Sequence, residues 1–147
     1  MTAIAQRGAI EVTIIGMEAL RADLKDVSAR VAKNAIRAAI RKAGKLVINS
    51  AKSKVPVRSG KLRKGITQKV SSKPGLVQTK IGFRKKAFYG QFVELGHAVK
   101  SHGKVVGSVS ARPFLRPALA ENEGQISGAF AGFVRAEIAK RRAKGQR

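Results

Sequence analysis

The chain has 147 residues, with 31 Lys and Arg against 8 Asp and Glu, for a formal charge of +23. That length and a 44% apolar content suffice for one domain with a real core. The absence of cysteine excludes a disulfide scaffold, a thiolate metal site and a thiol nucleophile.

No stretch reaches the roughly 18 to 20 apolar residues of a membrane span, and the N-terminus lacks the apolar segment of a secretory signal. We expect a protein made in the cell cytoplasm, with no membrane partner. The charge favours polyanions, because contact with phosphate backbones releases condensed counterions. It is also unevenly placed. No acid lies between Asp26 and Glu94, while Arg30 through Lys86 contribute 18 basic residues.

In chain order, residues 1–9 show no periodicity and are expected as a flexible lead. Ile10, Val12 and Ile14 alternate with Glu11 and Thr13, which predicts a half-buried strand ending at Gly16. From Met17 to about Ser53, Leu20, Leu24, Val27 and Val31 predict an amphipathic helix. A second set, Ile36, Ile40, Ala43 and Val47, lies about 150° around the axis. Either the helix breaks near Asn34 or its second half buries another face. Arg30, Arg37, Arg41, Lys45 and Lys52 fall within roughly 80° of arc, so an unbroken helix carries a basic stripe, solvated or facing phosphate.

Val55-Pro56 stops the helix, and Ser59-Gly60 makes a turn. Ile66 to Val70 and Val77 to Phe83 read as an antiparallel hairpin around 71–75, with Thr67, Lys69, Gln78 and Lys80 outward. Ala87 to Leu95 is apolar, and periodicity does not decide between helix and strand. Gly96 to Ser110 reads as a long loop with a short strand at Val105 to Val109. Pro113 then opens a last helix with Leu115, Leu119, Ile126, Phe130, Val134 and Ile138 on one face. Gly124, Gly128 and Gly132 weaken it by about 1 kcal/mol each relative to Ala. The basic tail, 140–147, is expected to fray. The fold class is α+β, a single domain over 10–139 whose small antiparallel sheet is packed by a long N-terminal helix and a C-terminal helix.

Catalytic signatures are missing. Glu94 is the only central acid, so paired carboxylates have no support. The phosphate-cradling glycine loops, a nucleophile elbow and a strong metal spacing are all absent, His97 and His102 near Glu94 included. We expect no enzyme and no cofactor. Zinc-finger spacing and aromatic stacking motifs are absent too, which leaves nonspecific attraction to phosphate.

Three patterns in order carry a resemblance: Ala51-Lys52-Ser53-Lys54-Val55-Pro56-Val57-Arg58-Ser59-Gly60-Lys61-Leu62-Arg63-Lys64-Gly65-Ile66, then Phe88-Tyr89-Gly90-Gln91-Phe92-Val93-Glu94-Leu95-Gly96, then Ala111-Arg112-Pro113-Phe114-Leu115-Arg116-Pro117-Ala118-Leu119. Together they resemble the tail-completion, or neck, proteins of long-tailed bacteriophages, over roughly residues 17–120. His97 stands where that family usually has Thr, and the loop before Arg112 is longer.

The resemblance implies a structural virion protein that forms a ring, six subunits being expected, where head joins tail. Its implied partners are itself, the tail terminator, the head-tail connector and, nonspecifically, double-stranded DNA. On this reading Arg30, Arg37, Arg41, Lys45 and Lys52 are candidates to face the DNA. Tyr89, Phe92, Glu94, Arg112, Pro113, Phe114 and Arg116 are candidates for contacts with neighbours. Glu94 would pair with Arg112 or Arg116, or stand exposed. The competing reading is a free nonspecific nucleic-acid-binding protein; a nuclease or toxin-like fold ranks below both.

Overall fold

The computed structural model of the chain describes residues 2–6, 9–13, 27–73 and 76–145. Its longest early element is α1 (Ala29–Lys54). The helix starts where Ser28 adopts an extended ψ of 142° and its hydroxyl accepts from the Val31 N–H at 3.4 Å. It stops at Val55, whose extended backbone is what a following proline demands. An unbroken helix from Met17, or one that breaks near Asn34, is therefore not formed: Ser28 starts this one. The expected turns at 17–26, with Leu20 and Leu24, lie outside the described residues. The second apolar set faces inward: within α1, Ile40, Ala43 and Val47 are buried and Ile36 is half-buried.

A four-stranded antiparallel sheet receives α1. Its strands are β1 (Thr2–Gln6), β2 (Ala9–Thr13), β3 (Ile66–Lys73) and β4 (Leu76–Phe83), in the order β1-β2-β4-β3. The lead expected to lack regular structure thus supplies an edge strand. Strand β4 inserts between β2 and β3, the two strands that α1 connects. Register sets Ile81 between Ile10 and Gln68, and Thr79 between Val12 and Val70. Period-2 alternation then sends Ile66, Thr79 and Ile81 to the buried face and leaves Lys69 and Lys80, directly opposite one another, exposed. Gly44 lets α1 lie close on this sheet, since a Cβ there would overlap the Gln68 amide. The Gln68 Nε2 donates to the Arg41 carbonyl at 3.0 Å.

The last helix, the longest among the described residues, spans Leu115–Gly145 and packs antiparallel against α1. All six residues of its expected apolar face are buried. Near one end Val47, Ile48 and Ala51 meet Leu115, Ala118 and Leu119; near the other Ala35, Ala39 and Ile40 meet Phe130, Val134 and Ile138. Two ion pairs cross this seam, Lys54–Glu121 at 2.6 Å and Lys42–Glu137 at 2.8 Å. The hydrogen bond from Lys54 leads in holding the Glu121 carboxyl below its ordinary range, and that from Lys42 does the same for Glu137. Regular helix continues to Gly145, into the tail that was expected to fray. A Cβ at Gly124, Gly128 or Gly132 would meet open space, so no close contact within the described chain requires those glycines.

Between these layers, α2 (Lys61–Gly65) is a single turn that opens on Gly60, whose φ is 69°. The segment left open between helix and strand is helical: a 3-10 turn at Lys85–Ala87 leads to α3 (Gly90–Leu95). The helix Leu115–Gly145 is hereafter α4.

Candidate interaction site

The junction of α3 and α4 is built on close packing. Gly90 opens α3 against Leu62 and Phe83, each of which would lie 2.6 Å from a Cβ at that position. This approach points Glu94, one turn later, inward. Its side chain is only 3% exposed. Oε2 accepts from the backbone N–H groups of Phe114 at 2.8 Å and Leu115 at 2.9 Å, and Oε1 accepts from that of Arg116 at 3.1 Å.

These are donors at the start of α4, which have no partner within the helix, and a carboxylate also complements the positive end of the helix dipole. The next residue, Pro117, has no N–H to satisfy. One acid therefore saturates the start of the longest helix. Neither the ion pair with Arg112 or Arg116 nor the exposed position expected for Glu94 occurs, because buried backbone donors claim both of its oxygens.

Phe114 departs from expectation in the same way. It is fully buried, its ring centroid 5.9 Å from that of Phe83 in an edge-to-face arrangement. The Arg112 N–H donates to the Val93 carbonyl at 2.8 Å, which ties the preceding segment to α3. Arg112, Pro113 and Arg116 are exposed, and Tyr89 is half-buried.

Past this anchor, Gly96 turns the chain. Its φ of 70° with ψ of 173° is a conformation essentially reserved for glycine, and a Cβ would lie 2.6 Å from the Val109 carbonyl oxygen. The chain then forms β5 (His97–Ser101) and β6 (Lys104–Val109), an antiparallel hairpin with a register shift at Val99/Lys100 and a tip in which His102 and Gly103 have positive φ. The expected long loop is thus a second small sheet. All of its residues are exposed.

Large apolar side chains are exposed on α3, on the segment before it and on the hairpin. Phe88 is 60% exposed, Val105 62% and Val106 63%, with Phe92, Leu95, Val99 and Val109 also exposed. Phe88 and Phe92 stack edge to face at 6.2 Å, and Phe92 lies 5.4 Å from the His97 ring. Beside them runs a groove of about 670 Å³ between the Pro56–Gly60 turn, α3 and the root of the hairpin. Pro56, Leu62, Tyr89, Phe92, Val93 and Val109 supply its apolar lining; Arg58, Arg112 and His97 supply its ionisable groups.

The basic stripe sits elsewhere, on α1. Arg30, Arg41 and Lys45 are exposed, while Arg37 and Lys52 are half-buried. Among the described residues no group of three or more His, Cys, Asp or Glu converges on one point, and no helix is long and apolar enough to cross a membrane. The arrangement is suited to holding another chain. The sequence signal that pointed toward the junction was the isolation of Glu94 in a basic stretch; the groove, assembled from three separate segments, left none.

Among known proteins, residues 18–96 match the model of a family described as "Bacteriophage HK97-gp10, putative tail-component". No curated protein and no solved structure matches the chain. The match runs from the segment ahead of α1 through Glu94 and ends at Gly96, before the hairpin and the helix that Glu94 caps. With more than half of its length matched, the chain belongs to this HK97-gp10-like family of bacteriophage tail components.

Proposed function

We propose that the protein is a structural component of the phage neck, a ring of six subunits that joins the head connector to the tail and borders the DNA path. One observation carries this reading: a tail-component chain leaves large apolar side chains, Phe88, Phe92, Leu95 and the hairpin valines, exposed on the segments that run into and out of a capped helix junction. Large apolar side chains exposed on a strongly charged protein mark a contact with neighbours. Tyr89, Phe92, Arg112, Pro113 and Arg116 lie in that region and form the contacts, while Glu94 and Phe114 hold its framework from within.

In the same reading, Arg30, Arg37, Arg41, Lys45 and Lys52 face the duplex. Six copies bring roughly 140 formal positive charges against about 20 phosphates in one turn of DNA, so most of the charge serves other surfaces. A delocalised cationic lining attracts a duplex without reading its sequence and lets it slide. The protein needs no cofactor and catalyses no reaction in this role.

Light scattering at several protein and salt concentrations, with electron microscopy of purified tails, tests the assembly. Ring-sized particles or density at the collar are expected. Monomers that bind DNA in a salt-sensitive way, with no collar density, would instead establish a free nucleic-acid-binding protein, a reading that the acid-free interval favours. Replacing Arg41, Lys45 and Lys52 together by Glu is expected to impair DNA retention while leaving assembly intact; unchanged retention would remove the stripe from the DNA path.

A further inference from the structure

We infer that the groove beside α3 docks an acidic peptide segment with apolar anchors, carried by a different protein of the particle. The inference rests on the tail-component reading for the source of the partner. Its chemistry follows from the groove itself. At about 670 Å³, the space has the size of ligand clefts and holds several side chains. Leu62, Tyr89, Phe92 and Val93 give it an apolar lining, and Arg58 and Arg112, both exposed, line it too.

Among the described residues no carboxylate lines the groove, and neither guanidinium has a carboxylate partner. Glu94, the nearest acid in sequence to Phe92 and Val93, has both oxygens committed to the start of α4 and is almost wholly buried. The two arginines therefore line an apolar cleft without a carboxylate partner among the described residues. That is the geometry in which a carboxylate forms strong, directed hydrogen bonds while neighbouring side chains bury apolar surface.

A second copy of the chain fits this chemistry poorly. Its most exposed apolar element, the hairpin, carries Lys100, His102 and Lys104 and no acid. Placing it in the groove would set cation against cation. Of the four acidic residues whose side chains are described, Glu94 caps α4, while Glu121 and Glu137 are paired with lysines across the α1–α4 seam; Glu123 is exposed without such a partner among the described residues. Among these side chains little acid is left to offer another copy, whereas an acidic partner gains both apolar contact and pairing with the two arginines.

The test uses the full chain and a fluorescein-labelled peptide alternating Asp or Glu with Leu or Phe, followed by anisotropy at physiological ionic strength. Binding is expected to weaken at least about tenfold in the double variant R58E/R112E. The distal double variant K33E/R142E, with the same change in net charge, is expected to bind as the parent does. Peptides with Gln in place of the acids, or Ser in place of the apolar residues, are expected to bind at least about tenfold more weakly.

Equal weakening by both double variants would overturn the inference, because the attraction would then be that of the whole +23 chain. Equal binding of the Ser peptide would overturn it too. A peptide of residues 14–28 of this chain that outcompetes the acidic probe would reassign the groove to a second copy. Circular dichroism of R58E/R112E confirms that the fold is kept. The result is separable from the neck proposal: a groove that binds the probe in a protein absent from the collar refutes the neck reading alone, and collar rings without probe binding refute the groove alone.

Discussion

Glu94 and His97 stand three positions apart, yet they open the most and the least enclosed regions of this part of the molecule. On one side, a buried carboxylate accepts three backbone N–H groups and Phe114 packs at zero exposure against Phe83. On the other, every residue of the hairpin β5–β6 is exposed. An isolated two-stranded hairpin is at best marginal in water. Its valines add little to the stability of a single chain, whereas the junction behind it is fixed by packing and charge. A fixed root below an exposed apolar arm is an arrangement suited to contact with another molecule.

Removing the root should give the largest effect. Glu94→Ala is expected to destabilise the protein by about 3 kcal/mol, since it strands buried donors at the start of α4. Glu94→Gln, which keeps the shape and one carbonyl acceptor, should cost roughly half as much. Urea denaturation followed by circular dichroism measures both. If Glu94→Ala costs no more than a surface substitution, the contrast between root and arm fails.

The Lys42–Glu137 pair should matter less, at under about 1 kcal/mol, because the lysine is half exposed. Its dependence on pH has a definite sign. The folded state lowers the Glu137 pKa from its ordinary 4.5, so the stabilisation is complete above the unfolded value and disappears as pH falls through the folded one. The difference in stability between the parent and Glu137→Gln should therefore hold steady above about pH 5.5 and shrink below pH 4.5. Thermal melts across that range check it; a difference independent of pH would mean that the pair contributes only packing.

The smallest effect on stability is expected at the arm. Val105→Ser with Val106→Ser should change the unfolding free energy by no more than about 0.5 kcal/mol. The same double variant should nevertheless lose association with partners, read by light scattering and co-purification with tails. A large loss of stability in the isolated chain would show that the arm belongs to the fold.

Much of the fold was legible because it rests on local periodicity. The alternation in β4 and the six apolar positions of α4 pointed to the faces that are buried, and Pro56 marked the end of α1. The start of α1 was less legible, since Leu20, Leu24, Val27 and Val31 continue a helical spacing across Ser28, where the described backbone turns extended. The hairpin at 97–109 was obscured by its glycines and histidines, of which His102 and Gly103 take the positive φ values that make the turn at the tip.

The amino-acid sequence by itself determined the composition of the surface, the α+β class and, through the three ordered patterns, the phage tail family. Those features depend on residue type and short spacing, which the chain carries wherever it goes. Only the tertiary structure decided what Glu94 and Phe114 do, and where the groove lies. A carboxylate twenty residues from the helix it caps has no local signature, and a cleft formed by the Pro56–Gly60 turn, α3 and the hairpin root exists only after three distant segments have packed.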